Sequence, residues 1–113
     1  MKEEISNIET LNLNDSGLLG IDIHSGEVRL MVDYIEDYTN STSRVCSLMF
    51  KDCRSLSCSF NLNVAWPDSI LCGHETKDGE WRNITIEMST SASVFSVSCH
   101  HVELCRLEEG GIQ

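Results

Sequence analysis

Apolar and polar residues alternate along most of this chain, a pattern typical of β-strands that bury one face and expose the other. The longest alternation runs from Leu56 to Trp66 and stops before Pro67, which has no N–H to give to a strand ladder. It predicts one strand, or a bent pair of strands, whose apolar face consists of Leu56, Cys58, Phe60, Leu62, Val64 and Trp66. A second alternating face predicts another strand, with the core residues Val28, Leu30, Val32 and Tyr34.

Two further patterns extend the antiparallel arrangement toward the N-terminus and the middle of the chain. The nearly continuous apolar run from Arg44 to Phe50 predicts a strand that is covered on both faces. Short strands are indicated on either side of a turn at residues 15–17 by two apolar pairs, Leu11 and Leu13, then Ile21 and Ile23.

A hairpin is predicted near the C-terminus, where two alternating runs flank the polar segment 89–93. The runs consist of Ile84, Ile86 and Met88, then Phe95, Val97 and Cys99. The apolar positions change parity after Cys99, because the next ones are Val102 and Leu104. A one-residue slip would turn the strand inside out, so we predict a bulge or corner at His100 and His101.

About eight strands at hairpin spacing predict an all-β fold in a single domain over residues 1–113, either an antiparallel β-sandwich or a flattened barrel. We expect at most a turn or two of helix, near residues 67–70, where Pro67 and Asp68 favour a helix start. A chain of this length buries roughly 65% of its unfolded surface, which is enough for a core without disulfides.

The charge balance restricts the partners. Asp and Glu number 18 against 8 Lys and Arg, a formal net charge of -10 at pH 7. Because Lys and Arg neutralise phosphate when proteins bind nucleic acid, this balance argues against nucleic acid and against an anionic membrane. It favours a basic protein partner through faster encounter. No stretch approaches the roughly 20 apolar residues that span a bilayer, and residues 1–4 lack the layout of a signal peptide, so we expect a cytoplasmic protein.

Six cysteines would indicate a disulfide framework in a secreted protein, but in a cytoplasmic one we expect free thiols. Four of them occupy strand patterns in which a small buried hydrophobe fits: Cys46, Cys58, Cys99 and Cys105. The alternative is a zinc site with four ligands and His24 as a spare, the ligands being Cys72, His74, Cys99 and His101. Because there is no Cys-x-x-Cys knuckle, we assign no metal and no cofactor.

The chain lacks the short motifs of common catalytic sites, such as the Gly-x-Ser-x-Gly elbow, the His-Glu-x-x-His helix and glycine-rich phosphate loops. Asp22, His24 and Ser25 come closest, since the first two would share a strand face and the serine would lie at its turn. Polar residues also gather at strand ends for structural reasons. We therefore predict no catalytic residues and no enzyme.

An acidic segment with two tyrosines is the strongest candidate for a contact surface. Tyr offers contact area at low entropic cost while acidic groups steer association, so a long hairpin loop here would suit a cationic partner. The contact residues would be Asp33, Tyr34, Glu36, Asp37 and Tyr38. In the alternative interpretation the segment is a strand end, with Tyr34 packed inward and the acids solvated. Trp81, which follows a predicted turn at 77–80, is a second candidate contact.

Three short patterns also carry a resemblance to a known group of proteins: Asp22-x-His24-Ser25, Trp66-Pro67-x-x-Ile70, and Val97-x-Cys99-x-x-Val102-x-Leu104. They resemble small bacterial all-β proteins of uncharacterised type, some of which are grouped with the immunity proteins of polymorphic toxin systems. The resemblance brings no catalytic residues. It implies stoichiometric inhibition of a toxin by surface masking, and an acidic inhibitor suits a basic nuclease toxin.

Two functional hypotheses follow. The first is a non-catalytic acidic binding protein, most specifically an immunity-type inhibitor that covers a basic protein. The second is a structural or assembly subunit that forms a homodimer or larger homo-oligomer through a sheet face or an open edge strand.

Overall fold

A computed structural model describes residues 2–37, 39 and 42–106, and for Glu36 and Asp37 it describes the backbone only. Nine strands in this part of the chain form two antiparallel sheets, with the order β1-β9-β4-β3-β2 in sheet A and β5-β8-β7-β6 in sheet B. The strands are β1 Lys2–Glu4, β2 Gly17–His24, β3 Glu27–Asp37, β4 Thr42–Lys51, β5 Ser55–Ser59, β6 Ile70–Asp78, β7 Trp81–Met88, β8 Val94–Cys99 and β9 His101–Arg106. The prediction of an all-β sandwich with little helix is confirmed.

The core lies between the two sheets and is built by alternate residues of the central strands. In β3 the predicted apolar face is confirmed, since Val28, Leu30, Val32 and Tyr34 are all buried. In sheet B the same alternation buries Ile84, Ile86 and Met88 of β7 against Phe95 and Val97 of β8. Phe50 and Phe95 join the two sheets, with ring centroids 5.4 Å apart.

The predicted C-terminal hairpin and the corner after it are both confirmed. β7 pairs with β8 in register from Arg82 opposite Cys99 to Glu87 opposite Val94. β8 then ends at Cys99, and β9 begins at His101 in the other sheet. The change of apolar parity therefore marks the point at which the chain crosses from sheet B to sheet A.

The strand predicted over 56–66 is wrong in extent. β5 ends at Ser59, Cys58 is exposed, and Leu62 is 77% exposed, so this alternation does not define one buried face. Local polar contacts turn the chain instead: Asn61 Oδ1 accepts the N–H of Asn63 at 3.0 Å. The Nε1–H of Trp66 donates to the carbonyl of Asn61 at 3.0 Å. Trp66 is consequently only partly buried, and its peptide bond to Pro67 is cis.

The predictions for 11–13 and 67–70 are also corrected. Leu11 and Leu13 lie in irregular backbone after a single 3₁₀ turn, Ile8–Thr10, which is the only helical turn in the described ranges. No helix starts at Pro67. Asp68 is buried instead, and its carboxylate accepts backbone N–H groups from Ser69 at 2.8 Å and Ser91 at 2.8 Å. These bonds tie the segment before β6 to the β7–β8 turn.

Strand β4 is covered on both faces only at its centre. Cys46, Leu48 and Phe50 face the core, and Ser47 on the opposite face is also buried, but Val45 is 37% exposed. In β2, Ile21 is partly buried against the core, while Ile23, near the end of the strand, is 61% exposed. No helix in the described residues is long and apolar enough to cross a membrane.

One ion pair is enclosed in the sandwich. Arg82 Nε and Nη2 donate to the carboxylate of Glu75 at 2.7 and 3.0 Å, and the two side chains are 10% and 1% exposed. The carboxylate also accepts the N–H of Ile8 at 2.7 Å. Burial opposes ionisation of Glu75, but the hydrogen bonds from Arg82 and Ile8 hold its pKa below the usual value. The pair therefore joins β6, β7 and the 3₁₀ turn.

Candidate binding faces and a Cys-His-Glu cluster

The acidic contact surface predicted at residues 33–38 is described only in part, and one of its members is buried. Tyr34 is 8% exposed, and its hydroxyl accepts the N–H of Asn12 at 3.1 Å, so its ring is not available to a partner. The prediction for this residue is wrong because β3 continues to Asp37 and Tyr34 keeps the inward parity of the strand. The side chains of Glu36 and Asp37, and all of Tyr38, lie outside the described residues.

Asp33 does lie on a continuous outer face, that of sheet A. It pairs with Val45 of β4, while its neighbour Met31 pairs with Ser47. Met49 is the next outward residue of β4, and like Met31 it is half-buried. Ser47, which faces outward between Met31 and Cys105 of the neighbouring strands, is 5% exposed. We call Met31, Asp33, Val45, Ser47 and Met49 the sheet A patch: a mainly apolar surface with Asp33 at one end, and with Arg29 and Glu103 on either side of Met49 at the other.

Trp81 is half-buried and makes close contacts within the chain. Its ring stacks on His100, with centroids 4.0 Å apart and planes inclined by 26°. The guanidinium of Arg54 lies 4.4 Å from the centre of the same ring. Trp81 therefore lies in a cation–π and stacking cluster that supports the corner between β8 and β9, and only part of its ring faces solvent.

The outer face of sheet B has a different chemistry. Across its centre, four neighbouring strands contribute one row with Thr76, Asn83, Ser98 and Ser55, and a second row with His74, Thr85, Ser96 and Ser57. These rows carry hydroxyl, amide and imidazole groups, and their small serines leave a shallow trough of about 170 Å³. Thr85 Oγ1 and Ser96 Oγ lie 3.3 Å apart across the trough. The two rows themselves contain no carboxylate; Glu87 and Asp78 lie beyond them at opposite ends of the same face.

One corner of this face carries three potential metal ligands, Cys72, His74 and Glu87. Cys72 Sγ lies 3.3 Å from His74 Nε2 and 3.3 Å from Glu87 Oε2, and the last two atoms are 3.6 Å apart. Burial raises the pKa of the Cys72 thiol, and the neighbouring Glu87 carboxylate raises it further. We refer to these residues as the Cys-His-Glu cluster.

The zinc set considered from the sequence is not assembled. Cys99 is fully buried and faces the core, where burial raises its pKa to about 12. His101 lies on β9 and faces Glu4 and Asp52, at 3.7 and 3.6 Å. Of the described residues, only the group with Cys72, His74 and Glu87 brings three candidate ligand atoms together. Sequence reasoning missed Glu87, which is adjacent to Cys72 only through strand pairing.

The Asp22, His24 and Ser25 segment forms the exposed end of the β2–β3 hairpin. Asp22 pairs with Arg29 and His24 pairs with Glu27, so both belong to ordinary cross-strand positions. All three side chains are exposed, and no hydrogen bond joins them within the described part of the chain.

An apolar groove of about 150 Å³ lies beside β2, an edge strand of sheet A whose first residue is bridged to Ser69. A register shift between Leu18 and Gly20 leaves Leu19 47% exposed at its rim, and Leu62 on the other side is 77% exposed. Phe60 and Trp66 form its floor with rings packed edge to face at 5.8 Å.

These features define a two-layer antiparallel β-sandwich with a five-stranded and a four-stranded sheet. No family model, no curated protein and no solved structure matches the chain.

Proposed function

We propose that this protein is a non-catalytic binding protein that covers a basic protein, most specifically a cytoplasmic immunity-type inhibitor of a cationic toxin. The observation that supports this proposal best is the sheet A patch, where half-buried and exposed apolar side chains lie beside Asp33 in a chain of net charge -10. The six cysteines, none of which is in a disulfide in the described structure, agree with a reducing compartment.

The composition of the patch is that of an interface centre. Such centres are depleted of charge and enriched in methionine, while charged groups at the rim set the encounter rate and the choice of partner. Met31, Val45 and Met49 would supply the contact area, and Asp33 with the remaining net charge would attract the cationic partner. Because long-range attraction is screened by salt, binding should weaken as ionic strength rises.

The test starts with capture of the partner from the native host and continues with measured affinities of the purified pair. Val45→Arg and Asp33→Lys should each lower affinity at least about 10-fold, since one disrupts the apolar contact and the other reverses the attraction. Matched controls on sheet B, Val94→Arg and Asp78→Lys, change the same residue types on the opposite face and should have little effect. If the sheet B variants lose binding and the sheet A variants keep it, the proposed face is wrong.

A second candidate function, self-assembly through the edge of β2, is favoured by the exposed apolar groove. Leu19 and Leu62 would be buried if a second copy packed there, and the part of the β2 edge beyond the bridge from Gly17 to Ser69 could extend the sheet. Two copies of so acidic a chain repel each other, so added salt would strengthen this association, whereas it would weaken binding to a basic partner.

Sedimentation across a dilution series and at two salt concentrations separates the two functions. Leu62→Glu should dissociate an oligomer formed through the groove, while the matched control Leu71→Glu, on the edge strand of sheet B and 51% exposed, should not. A monomer at every concentration and salt level would remove this second candidate.

A further inference from the structure

We propose that the Cys-His-Glu cluster binds one zinc ion, or another borderline divalent transition-metal ion, with three protein ligands and one position open to solvent. Its three donor atoms, one sulfur, one nitrogen and one oxygen, already lie within 3.6 Å of one another. This inference is independent of the proposed protein-binding face, which lies on the other sheet.

The separations fit tetrahedral coordination. In tetrahedral geometry, zinc bonds of about 2.3 Å to sulfur, about 2.0 Å to imidazole nitrogen and about 2.1 Å to carboxylate oxygen place the sulfur roughly 3.5–3.6 Å from each of the other donors, and the nitrogen and oxygen roughly 3.3–3.4 Å apart. The observed separations are 3.3 Å for each sulfur pair and 3.6 Å for the nitrogen–oxygen pair, each within about 0.3 Å of these values. The donors therefore form one triangular face of such a tetrahedron, and a single ion could contact all three with small side-chain adjustments.

A β-bulge brings the cysteine to this face. Ile70 pairs with Met88 and points into the core, and without an inserted residue Cys72 would have the same inward parity. The register shift between Ile70 and Cys72 instead places Cys72 opposite Glu87, on the outer side. Bulges commonly redirect a side chain next to a functional site.

The backbone beneath the cluster makes one close contact with Leu13, beside an open cavity of about 350 Å³ that Leu13, Gly73 and the two β6 ligands help to line. Gly73 lies between the two β6 ligands and faces inward, where an added Cβ would approach Leu13 Cδ1 at 3.3 Å. β6 and β7 stay in register from Cys72 opposite Glu87 to Asp78 opposite Trp81. Two ligands on one strand and the third on its hydrogen-bonded neighbour thus have little backbone freedom, which lowers the cost of ordering them around an ion.

The donor set selects the class of metal. A thiolate and an imidazole favour zinc and its neighbours over calcium and magnesium, which prefer oxygen ligands only. A thiolate and a carboxylate together neutralise a divalent cation, and the net charge of the protein attracts it. His74 and Glu87 are 59% and 44% exposed, so an ion can enter from solvent and retain a water ligand.

The experiment uses the full chain without a His tag, reduced and stripped of metal, and titrates it with zinc chloride in a calorimeter. One equivalent should bind. Cys72→Ser, His74→Ala and Glu87→Gln should each lower the affinity at least about 100-fold, because loss of a direct ligand exceeds the usual effect of a second-shell change. The matched controls Cys58→Ser and His24→Ala, which remove an exposed residue of each type elsewhere, should bind zinc as the unmodified chain does.

Two readouts on the unmodified chain keep the proposal testable if a variant misfolds. Cobalt(II) should give the thiolate-to-metal charge-transfer band and the intense visible bands of a tetrahedral site. Zinc should also protect Cys72, but not Cys58, from alkylation, as read by peptide mass spectrometry. Absence of one-equivalent binding, full affinity in a folded Cys72→Ser variant, or equal alkylation of Cys72 with and without zinc would each overturn the proposal.

Discussion

The enclosed ion pair between Glu75 and Arg82 gives the most direct test of how this sandwich is held together. Its geometry is bidentate, and both side chains are almost fully removed from solvent. Replacing Glu75 with leucine removes the carboxylate and leaves the Arg82 guanidinium buried without a counter-charge. Replacing Arg82 with methionine leaves the opposite charge uncompensated.

The expected magnitudes differ sharply between single and paired replacement. Breaking a buried pair from one side costs about 3–5 kcal/mol, because the remaining ion stays desolvated. In the Glu75→Leu, Arg82→Met double variant no charge remains, and the main loss is the acceptor for the N–H of Ile8, about 1–3 kcal/mol. The double variant should therefore be more stable than either single variant. With a total stability of about 6–17 kcal/mol for a domain of this length, each single variant remains measurable.

Urea unfolding at neutral pH in reducing buffer, followed by circular dichroism, supplies the free energies of unfolding for the four proteins of this cycle. A coupling energy of several kcal/mol between the two sites is expected. If each single variant costs less than about 1 kcal/mol, as at an exposed pair, or if the two losses simply add, the pair between Glu75 and Arg82 does not stabilise the sandwich as a buried, coupled pair.

Two further predictions concern titratable groups. Burial opposes ionisation of Asp68, but surrounding hydrogen bonds hold its pKa below the usual 3.8, so its stabilising contribution is present at neutral pH and is lost as pH falls from that usual value through the lowered one. Asp68→Asn should consequently destabilise the protein at pH 7 and lessen the fall of stability below about pH 4, as measured by urea unfolding at each pH. Iodoacetamide should label exposed Cys58 well before Cys46 and Cys99 in the native protein, with all becoming reactive in urea, because the latter two are buried and burial raises the pKa of Cys99 to about 12. Early labelling of Cys99 would contradict its place in the core.

Most of the fold could be predicted because the sandwich buries alternate residues of its central strands. In β3, for example, both flanking strands fix the register, and the inward parity of Val28 persists as far as Tyr34. The corner at His100 was predictable for the same reason, since a strand cannot change parity without a break in pairing.

The strand prediction from alternation was wrong where the segment has no neighbouring strand to pair with. Residues 60–66 keep the pattern of β5, but β5 is an edge strand whose partner β8 begins at Val94, opposite Ser59. Beyond that point no strand of the described residues pairs with the backbone; the Asn61 N–H donates to Ser93 Oγ, and the side chain of Asn61 forms a turn. The single-sequence pattern contains no information about where the partner strand ends.

The candidate sites depend even more on strand pairing, which the pattern of a single sequence does not show. Cys72 and His74 are visible in the sequence as a closely spaced pair, but whether they share a face with anything depends on a bulge and on pairing with a residue 15 positions away. Likewise, Asp33 reaches the sheet A patch and Tyr34 does not, because adjacent strand positions face opposite sides.

The bulge in β6 allows Ile70 to face the core and Cys72 to face the outer surface of sheet B. Leu71 is the inserted residue that changes the direction of the side chains after it, and it is itself 51% exposed.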